Sequence, residues 1–285
     1  MTEPVDVGPM LALYMRMQQE QLRQRMAPDN SPPQRRRLTQ SLADVFFDLI
    51  ARTDIDLACE VGAHEGAFSQ RLKRARPNTR IVAFEANPDV FDMHRGKLEG
   101  LGIEYYPVCV ADRAGTTQMK VPVRDDAPLQ RGEAAVARGG EPPAGFWPGD
   151  SKEVTMGSTL DFTPANRFEL FECETVSLDG FLSNYRFERG ALWVDVEGAA
   201  SLVFEGAVET LRNCTAIYVE LENQTKWSGQ RIDAEVYQFL FRHGFVPVLA
   251  DLQKSWQYNV ILLKKDLITA PFVKRAALDF LTQPS

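Results

Sequence analysis

Hydrophobic positions along the chain follow two rhythms. Ile55, Leu57, Cys59 and Val61 alternate with polar or small residues, the period of a strand entering a buried sheet. Gly62-Ala63-His64-Glu65-Gly66 follows at once, and then Phe68 and Leu72, spaced as one face of a helix from Phe68 to Arg76. Arg80 to Glu85 repeats the strand rhythm. Asn87-Pro88 stops it and starts a helix over Asp89 to Glu99. Ile103 to Val110 is strand-like but carries Pro107, which predicts a bend or two short pieces. Met119 to Val123 and Glu174 to Leu178 add strands, the second running into a helix that reaches Tyr185. Ala191 to Gly198 sends Leu192, Val194 and Val196 inward and alternates them with Asp195 and Glu197. Another strand, Ala216 to Glu222, ends in acids. A helix over Ile232 to His243 and a hairpin of Phe245–Leu249 with Tyr258–Leu263 close the series. This alternation predicts an α/β fold, a mostly parallel sheet with helices on both faces and one antiparallel strand from the hairpin.

The flanks read differently. Met10, Leu11, Tyr14 and Met17 recur at helical spacing and predict an N-terminal helical arm that packs either on the domain or on another subunit, with Asp29 to Pro33 as a linker, so that residues 1–33 form a separate arm and linker. Leu38, Leu42, Val45, Phe46, Leu49 and Ile50 form a second helical stripe that covers the sheet. The domain proper is expected over 34–270, with 271–285 as a C-terminal tail. Residues 124–156 are rich in Gly and Pro and carry Phe146 and Trp147. Such a stretch is either a lid over a ligand or a flexible insertion.

The strand, glycine turn and helix beginning at Ile55 make the opening half of a nucleotide-binding unit. The turn lacks the Gly-x-Gly-x-x-Gly spacing of dinucleotide sites, and no Gly-Lys-Ser/Thr is present. Glu60 ends the strand and Glu65 lies inside the turn. Two carboxylates repel a pyrophosphate but suit an ammonium or a sulfonium, and S-adenosylmethionine (SAM) carries both. Glu85 ends the next strand about 20 residues beyond the turn, where an acid accepts hydrogen bonds from ribose hydroxyls.

Charge and cysteine content narrow the picture further. The formal net charge of −7 disfavours a nucleic-acid partner, and the run Arg35 to Arg37 reads as a solvated helix start. No stretch is apolar enough to predict a membrane span. Cys59, Cys109, Cys173 and Cys214 form no C-x-x-C pair, so reduced thiols in a cytoplasmic setting are expected.

Seven motifs then occur in one order: EVGAHEG at 60–66 with Ser69, FEANP at 84–88, ADRAG at 111–115, GSTL at 157–160, VSLDGFL at 176–182, WVDVEGAASLVFEGA at 193–207 and YVELE at 218–222. In these the chain resembles the FkbM-type SAM-dependent methyltransferases. The resemblance implies a Rossmann-like class I methyltransferase sheet of seven strands, and methyl transfer to a hydroxyl oxygen of a sugar, a glycan or a natural product. By position, Glu60, Gly62, Gly66 and Ser69 would frame the methionine end of SAM, with Ala63 and His64 in the same turn. Glu85, with Ala86 beside it, would hold the ribose. Val110, Ala111 and Asp112 would sit by the adenine, and Asp195 beside the transferred methyl. The family usually has Asp, Asn, Lys and Glu where Glu60, His64, Trp193 and Ala200 stand here.

An acceptor hydroxyl needs its proton removed. A carboxylate can take it, or a divalent metal can acidify it. Asp195 is the expected base or metal ligand, supported by Glu197, Glu220 and Glu222, with His64 as an alternative base. Hard oxygen donors of this kind favour Mg²⁺ over zinc, and no set of metal ligands is fixed by the sequence. Two rival readings stay open. One is a non-catalytic SAM-binding partner protein, motivated by Trp193 and Ala200; the other is an NAD-dependent enzyme. A homo-oligomer built through the N-terminal arm is also open.

Overall fold

The structure, a computed structural model, describes residues 6–26, 31–122, 134–135, 160 and 167–282. The expected lid or insertion over 124–156, with Phe146 and Trp147, lies outside the described residues apart from Ala134 and Ala135, as do Gly157 to Thr159 of the GSTL motif.

Two helices come first, α1 (Gly8–Arg25) and α2 (Pro32–Thr53). Strand β1 (Leu57–Val61), α3 (Ala67–Ala75), β2 (Arg80–Phe84), α4 (Pro88–Gly100) and β3 (Glu104–Tyr106) follow. Next are β4 (Cys109–Val110), β5 (Gly115–Pro122), the two-residue β6 (Ala134–Ala135) and β7 (Arg167–Val176). After α5 (Leu178–Phe181) and one 3₁₀ turn come β8 (Gly190–Val194), α6 (Ala200–Glu205), α7 (Val208–Asn213) and β9 (Cys214–Glu222). The chain closes with α8 (Asp233–Arg242), β10 (Phe245–Ala250), β11 (Gln257–Lys264) and α9 (Pro271–Thr282).

Seven strands form one sheet in the order β10-β11-β9-β8-β1-β2-β3. β11 runs antiparallel to both β9 and β10, and the remaining pairs are parallel. The expected α/β class, seven strands and single antiparallel strand are all present. Pro107 splits the Ile103–Val110 segment as predicted. Its first half extends the main sheet as β3, and its second half, β4, joins β7 and β5 in a second sheet.

Alternation along the strands feeds two apolar layers. Cys59, Val61, Leu192, Val194, Ile217 and Val219 face α6, α7 and α8. Ala58, Ala83, Ala191, Ala216 and Tyr218 face α2, α3 and α9. The sheet is thereby covered on both sides, as a parallel sheet must be. On the second face the Leu42, Phe46, Leu49 and Ile50 stripe of α2 is fully buried.

α1 lies against α8 and β10 of the same chain. The amide of Gln238 accepts from the backbone of Val7 at 2.8 Å and Gly8 at 3.1 Å. β10 is an edge strand, and α1 shields that edge. The Gln18 amide accepts from Ala250 N–H at 2.8 Å and donates to the Val248 carbonyl at 3.0 Å, standing in for a neighbouring strand. Leu11, Ala12, Met15 and Leu22 make the buried stripe of this helix. Three of the residues that mark its period in sequence, Met10, Tyr14 and Met17, face solvent together with Leu13. α9, in the tail, buries Val273 and Phe280 beside α2.

Candidate active site

β1, β2, β8 and β9 all end at the same edge of the sheet, and their last residues and the loops beyond them meet there. Glu60 and Trp193 are direct neighbours across β1 and β8, and Trp193 and Tyr218 across β8 and β9. One step further along lie Gly62, Asp195 and Glu220. The site is thus built from strand ends in register, the place where open α/β sheets bind ligands.

The two acids that flank the glycine turn both hold it. Glu60 is buried, and its carboxylate accepts from the N–H groups of Phe68 at 3.2 Å and Ser69 at 2.9 Å. Those are orphan donors in the first turn of α3, which a negative charge satisfies. Glu85 accepts from His64 N–H at 2.8 Å and Asn87 N–H at 2.8 Å, tying the turn to the end of β2. Gly62 has φ +77°, and a Cβ there would strike the carbonyl of Asp195, so the close approach of the β1 and β8 loops needs glycine. His64 and Glu197 adopt positive φ without being glycine, at +46° and +38°. Each is an unfavourable conformation costing roughly 1–2 kcal/mol, and each sits in one of these two loops.

Four carboxylates gather at the ends of β8 and β9: Asp195 and Glu197 just beyond β8, and Glu220 and Glu222 in the last residues of β9. Asp195 is open to the cleft, with its backbone N–H bound to Val61 O at 2.9 Å. Protein crowds its other sides, and the lost hydration pushes its carboxyl up, opposed by the Lys254 ammonium and a hydrogen bond with Glu220. Glu197 is raised to about 7, by burial first and by Asp195, with Lys254 opposing. Burial and the charges of Asp195, Glu197 and Glu222 raise Glu220 well above the usual carboxylate range. Glu222 rises to about 8 through burial and Glu197, although it accepts from Gly198 N–H at 3.1 Å and the Gln230 amide at 2.7 Å. The Gln257 amide donates to both Glu197, at 3.1 Å, and Glu220. Glu197, Glu220 and Glu222 offer carboxylate oxygens all within 4.8 Å of one another.

These shifts set a pH dependence. In the unfolded chain the carboxyls release protons near 4.5; folded, Glu60 and Glu197 keep them to about 7 and Glu222 to about 8. The folded state therefore binds more protons across that window, and stability falls as pH rises through it. Asp233 and Asp251, also raised by burial, act in the same direction. Glu104, lowered by Arg80, acts below its ordinary range and so outside the window. The melting temperature of the ligand-free protein is expected to drop between about pH 5 and pH 8.5, and Glu220→Gln to flatten the drop. A melting temperature that climbs through this interval would refute the account.

Most residues expected at the site come together. Glu60, Gly62, Ala63, His64, Gly66 and Ser69 form the first loop and helix start, Glu85 and Ala86 the second strand end, and Asp195, Glu197 and Glu220 the far side. Glu60 and Glu85 both feel the charge of Asp195. Val110 ends β4 and Ala111 follows it, and the adjacent Cys109 feels the charge of Glu85, so this segment borders the Glu85 end. Asp112 is half-exposed and 3.7 Å from Arg113. Sequence reasoning passed over Lys254 and Gln257, which lie in and just after the hairpin connection. A lysine and a glutamine in a polar loop carry no motif. The signal was the two acids at the end of β9, Glu220 and Glu222, which need compensating partners when buried.

The description "Methyltransferase FkbM domain" fits residues 60–247, well over half of the chain. A curated relative, the 2-O-methyltransferase NoeI of Sinorhizobium fredii, is 25% identical over 182 residues, covering 60% of this chain and 65% of its own length. The chain thus spans just under two thirds of that relative. Among solved structures, the precorrin-6y C5,15-methyltransferase of Geobacter metallireducens GS-15 superposes with a TM-score of 0.34 at 13% identity, over 73% of this chain and 79% of its own. The N-terminal domain of EvdMO1 with SAH bound gives 0.38 at 13% identity, over 83% and 81%.

Proposed function

The chain belongs to the FkbM methyltransferase family, and from that premise we propose that it transfers the methyl group of SAM to a hydroxyl oxygen of a sugar, a glycan or a natural product. One observation carries the reading. Glu60 and Glu85 brace a single glycine turn, and both lie within the field of Asp195 across the same cleft. Negative side chains on three strand ends complement a ligand that carries an ammonium and a sulfonium. The name of the NoeI relative, a 2-O-methyltransferase, supports oxygen as the acceptor atom. Four unpaired cysteines support a cytoplasmic setting, and among the described residues no helix is long and apolar enough to cross a membrane. Homo-oligomerisation through the N-terminal arm would use the exposed Met10, Leu13, Tyr14 and Met17 face of α1.

When bound, SAM supplies the sulfonium methyl. The chain's own groups must align the acceptor and take its proton. We assign the proton to Asp195, a reading supported by its opening to the cleft and by its backbone bond to the end of β1. Its carboxylate would take the hydroxyl proton as the acceptor oxygen receives the methyl that SAM, when bound, supplies. A carboxyl raised toward neutrality is a better base for this step than an ordinary one. Glu220, hydrogen-bonded to Asp195, and Glu197 orient and tune it. The oxygen donors of Glu197, Glu220 and Glu222 fit a hard cation such as Mg²⁺ by chemistry and spacing. Such an ion would neutralise the cluster and acidify a nearby hydroxyl.

Calorimetry with SAM, S-adenosylhomocysteine and NAD⁺, followed by transfer from methyl-labelled SAM to hydroxyl acceptors, tests the proposal. Micromolar binding of SAM, no comparable binding of NAD⁺, and label recovered as a base-stable ether are expected. Tighter binding of NAD⁺ would point to an oxidoreductase. SAM binding without transfer to any hydroxyl would favour the non-catalytic partner reading.

A further inference from the structure

A cavity of about 670 Å³ lies between the start of α2, the start of α3 and the ends of β8 and β9. Its floor is aromatic. Trp193 stacks on Tyr218 with ring centres 3.7 Å apart and planes within 9°, and Phe68 lies 5.0 Å from Trp193 on another side. Trp193 and Tyr218 stand two residues before Asp195 and Glu220 on their strands, a separation of about 7 Å. The cavity therefore adjoins the place where the proton is taken.

The opposite wall is basic. Arg35 and Arg36 line the cavity from the first turns of α2, and neither has an acidic partner among the described residues. Arg37, the third member of the run, bonds its neighbour Gln34 instead. Arg71 also lines the cavity but is held by Asp44 at 2.5 Å over the Phe47 ring. The positive end of the 22-residue helix α2 points the same way, since Pro32 lies in the lining. Gln253 also lines the cavity, with its side-chain carbonyl enclosed by protein and without a hydrogen-bond partner among the described residues. In a chain of net charge −7 such a basic wall is a local exception.

Resting on the methyltransferase reading above, we propose that this cavity is the acceptor site and that its acceptor is an anionic sugar. The phosphate or carboxylate is held by Arg35 and Arg36, and the apolar C–H groups of the sugar lie against the open edge of Trp193 between its Tyr218 and Phe68 neighbours. Guanidinium groups match both anions with paired N–H donors. Sugars present C–H groups to apolar surfaces and anionic groups to guanidinium, so an aromatic edge beside two arginines selects a charged carbohydrate over a neutral lipid.

Full-length protein saturated with S-adenosylhomocysteine is titrated with glucose, glucose 6-phosphate, glucuronate and inorganic phosphate, beside an Arg35→Gln/Arg36→Gln variant. Both arginines are on the open first turns of α2, and the variant's melting temperature checks that it folds. Glucose 6-phosphate or glucuronate is expected to bind at least about tenfold more tightly than glucose, the better of the two naming the anion. Inorganic phosphate is expected to bind more weakly than the sugar phosphate. The double variant should remove the preference while leaving S-adenosylhomocysteine affinity unchanged. Equal affinity for glucose and the charged sugars, or a preference that survives in the variant, overturns the proposal. A protein that discriminates charged sugars yet binds no S-adenosylhomocysteine overturns the acceptor assignment and the methyltransferase reading, leaving an anion site.

Discussion

Replacing Asp195 by asparagine is expected to lower the methyl-transfer rate by about 10²–10⁴-fold, the usual contribution of a positioned base, with S-adenosylhomocysteine affinity changed by no more than a few-fold. The substitution keeps the shape of a side chain that is open to the cleft, and the Val61 carbonyl still holds its backbone. Only the ability to take a proton is lost. Removing one carboxylate from a crowded set also relieves Glu220 and Glu197, so the variant is expected to melt no lower than the parent at neutral pH. A stable protein that binds product, yet turns over slowly, separates a chemical role from a structural one. A rate within a factor of three of the parent would take Asp195 out of the reaction, and His64 would become the next base to test.

That prediction was already contained in the strand pattern, and the reason is physical. Leu192 and Val194 alternate because β8 is buried between β1 and β9. An acid immediately beyond such a strand has nowhere to go but the sheet's edge. The same logic located Glu60 and Glu85. Sequence distance defeats it elsewhere. Gln257 reaches Glu220 because β11 is inserted antiparallel between β9 and β10, a pairing that no local pattern announces. The cavity wall joins Arg35 to Trp193 through the packing of α2 on the sheet, and a basic triplet at a helix start looks like any solvated turn. α1 shows a different limit. Apolar residues surround it, so its period reveals a helix but not which side is buried; Gln18 settles that by bonding the β10 edge, a role invisible in composition.

Glu85→Ala is expected to weaken SAM binding by about 10–10²-fold. A carboxylate offers roughly four acceptor positions; the N–H groups of His64 and Asn87 take one on each oxygen, and Ala86 N–H is a third backbone donor. That leaves a position for a ribose hydroxyl. A hydrogen bond to a charged group contributes about 1.5–3 kcal/mol, so losing it predicts the stated drop. The alanine variant also strands the His64, Ala86 and Asn87 donors, at about 1–3 kcal/mol for the buried Asn87 one, and its melting temperature should fall. Glu85→Gln distinguishes the two losses. Its carbonyl keeps an acceptor for the turn but gives up the charge and one oxygen, so stability should largely recover while affinity stays at least tenfold down. Calorimetric titration of both variants with SAM and with S-adenosylhomocysteine reads this directly. If Glu85→Gln binds as tightly as the parent while Glu85→Ala merely melts earlier, Glu85 is a brace for the glycine turn and the ribose is held elsewhere.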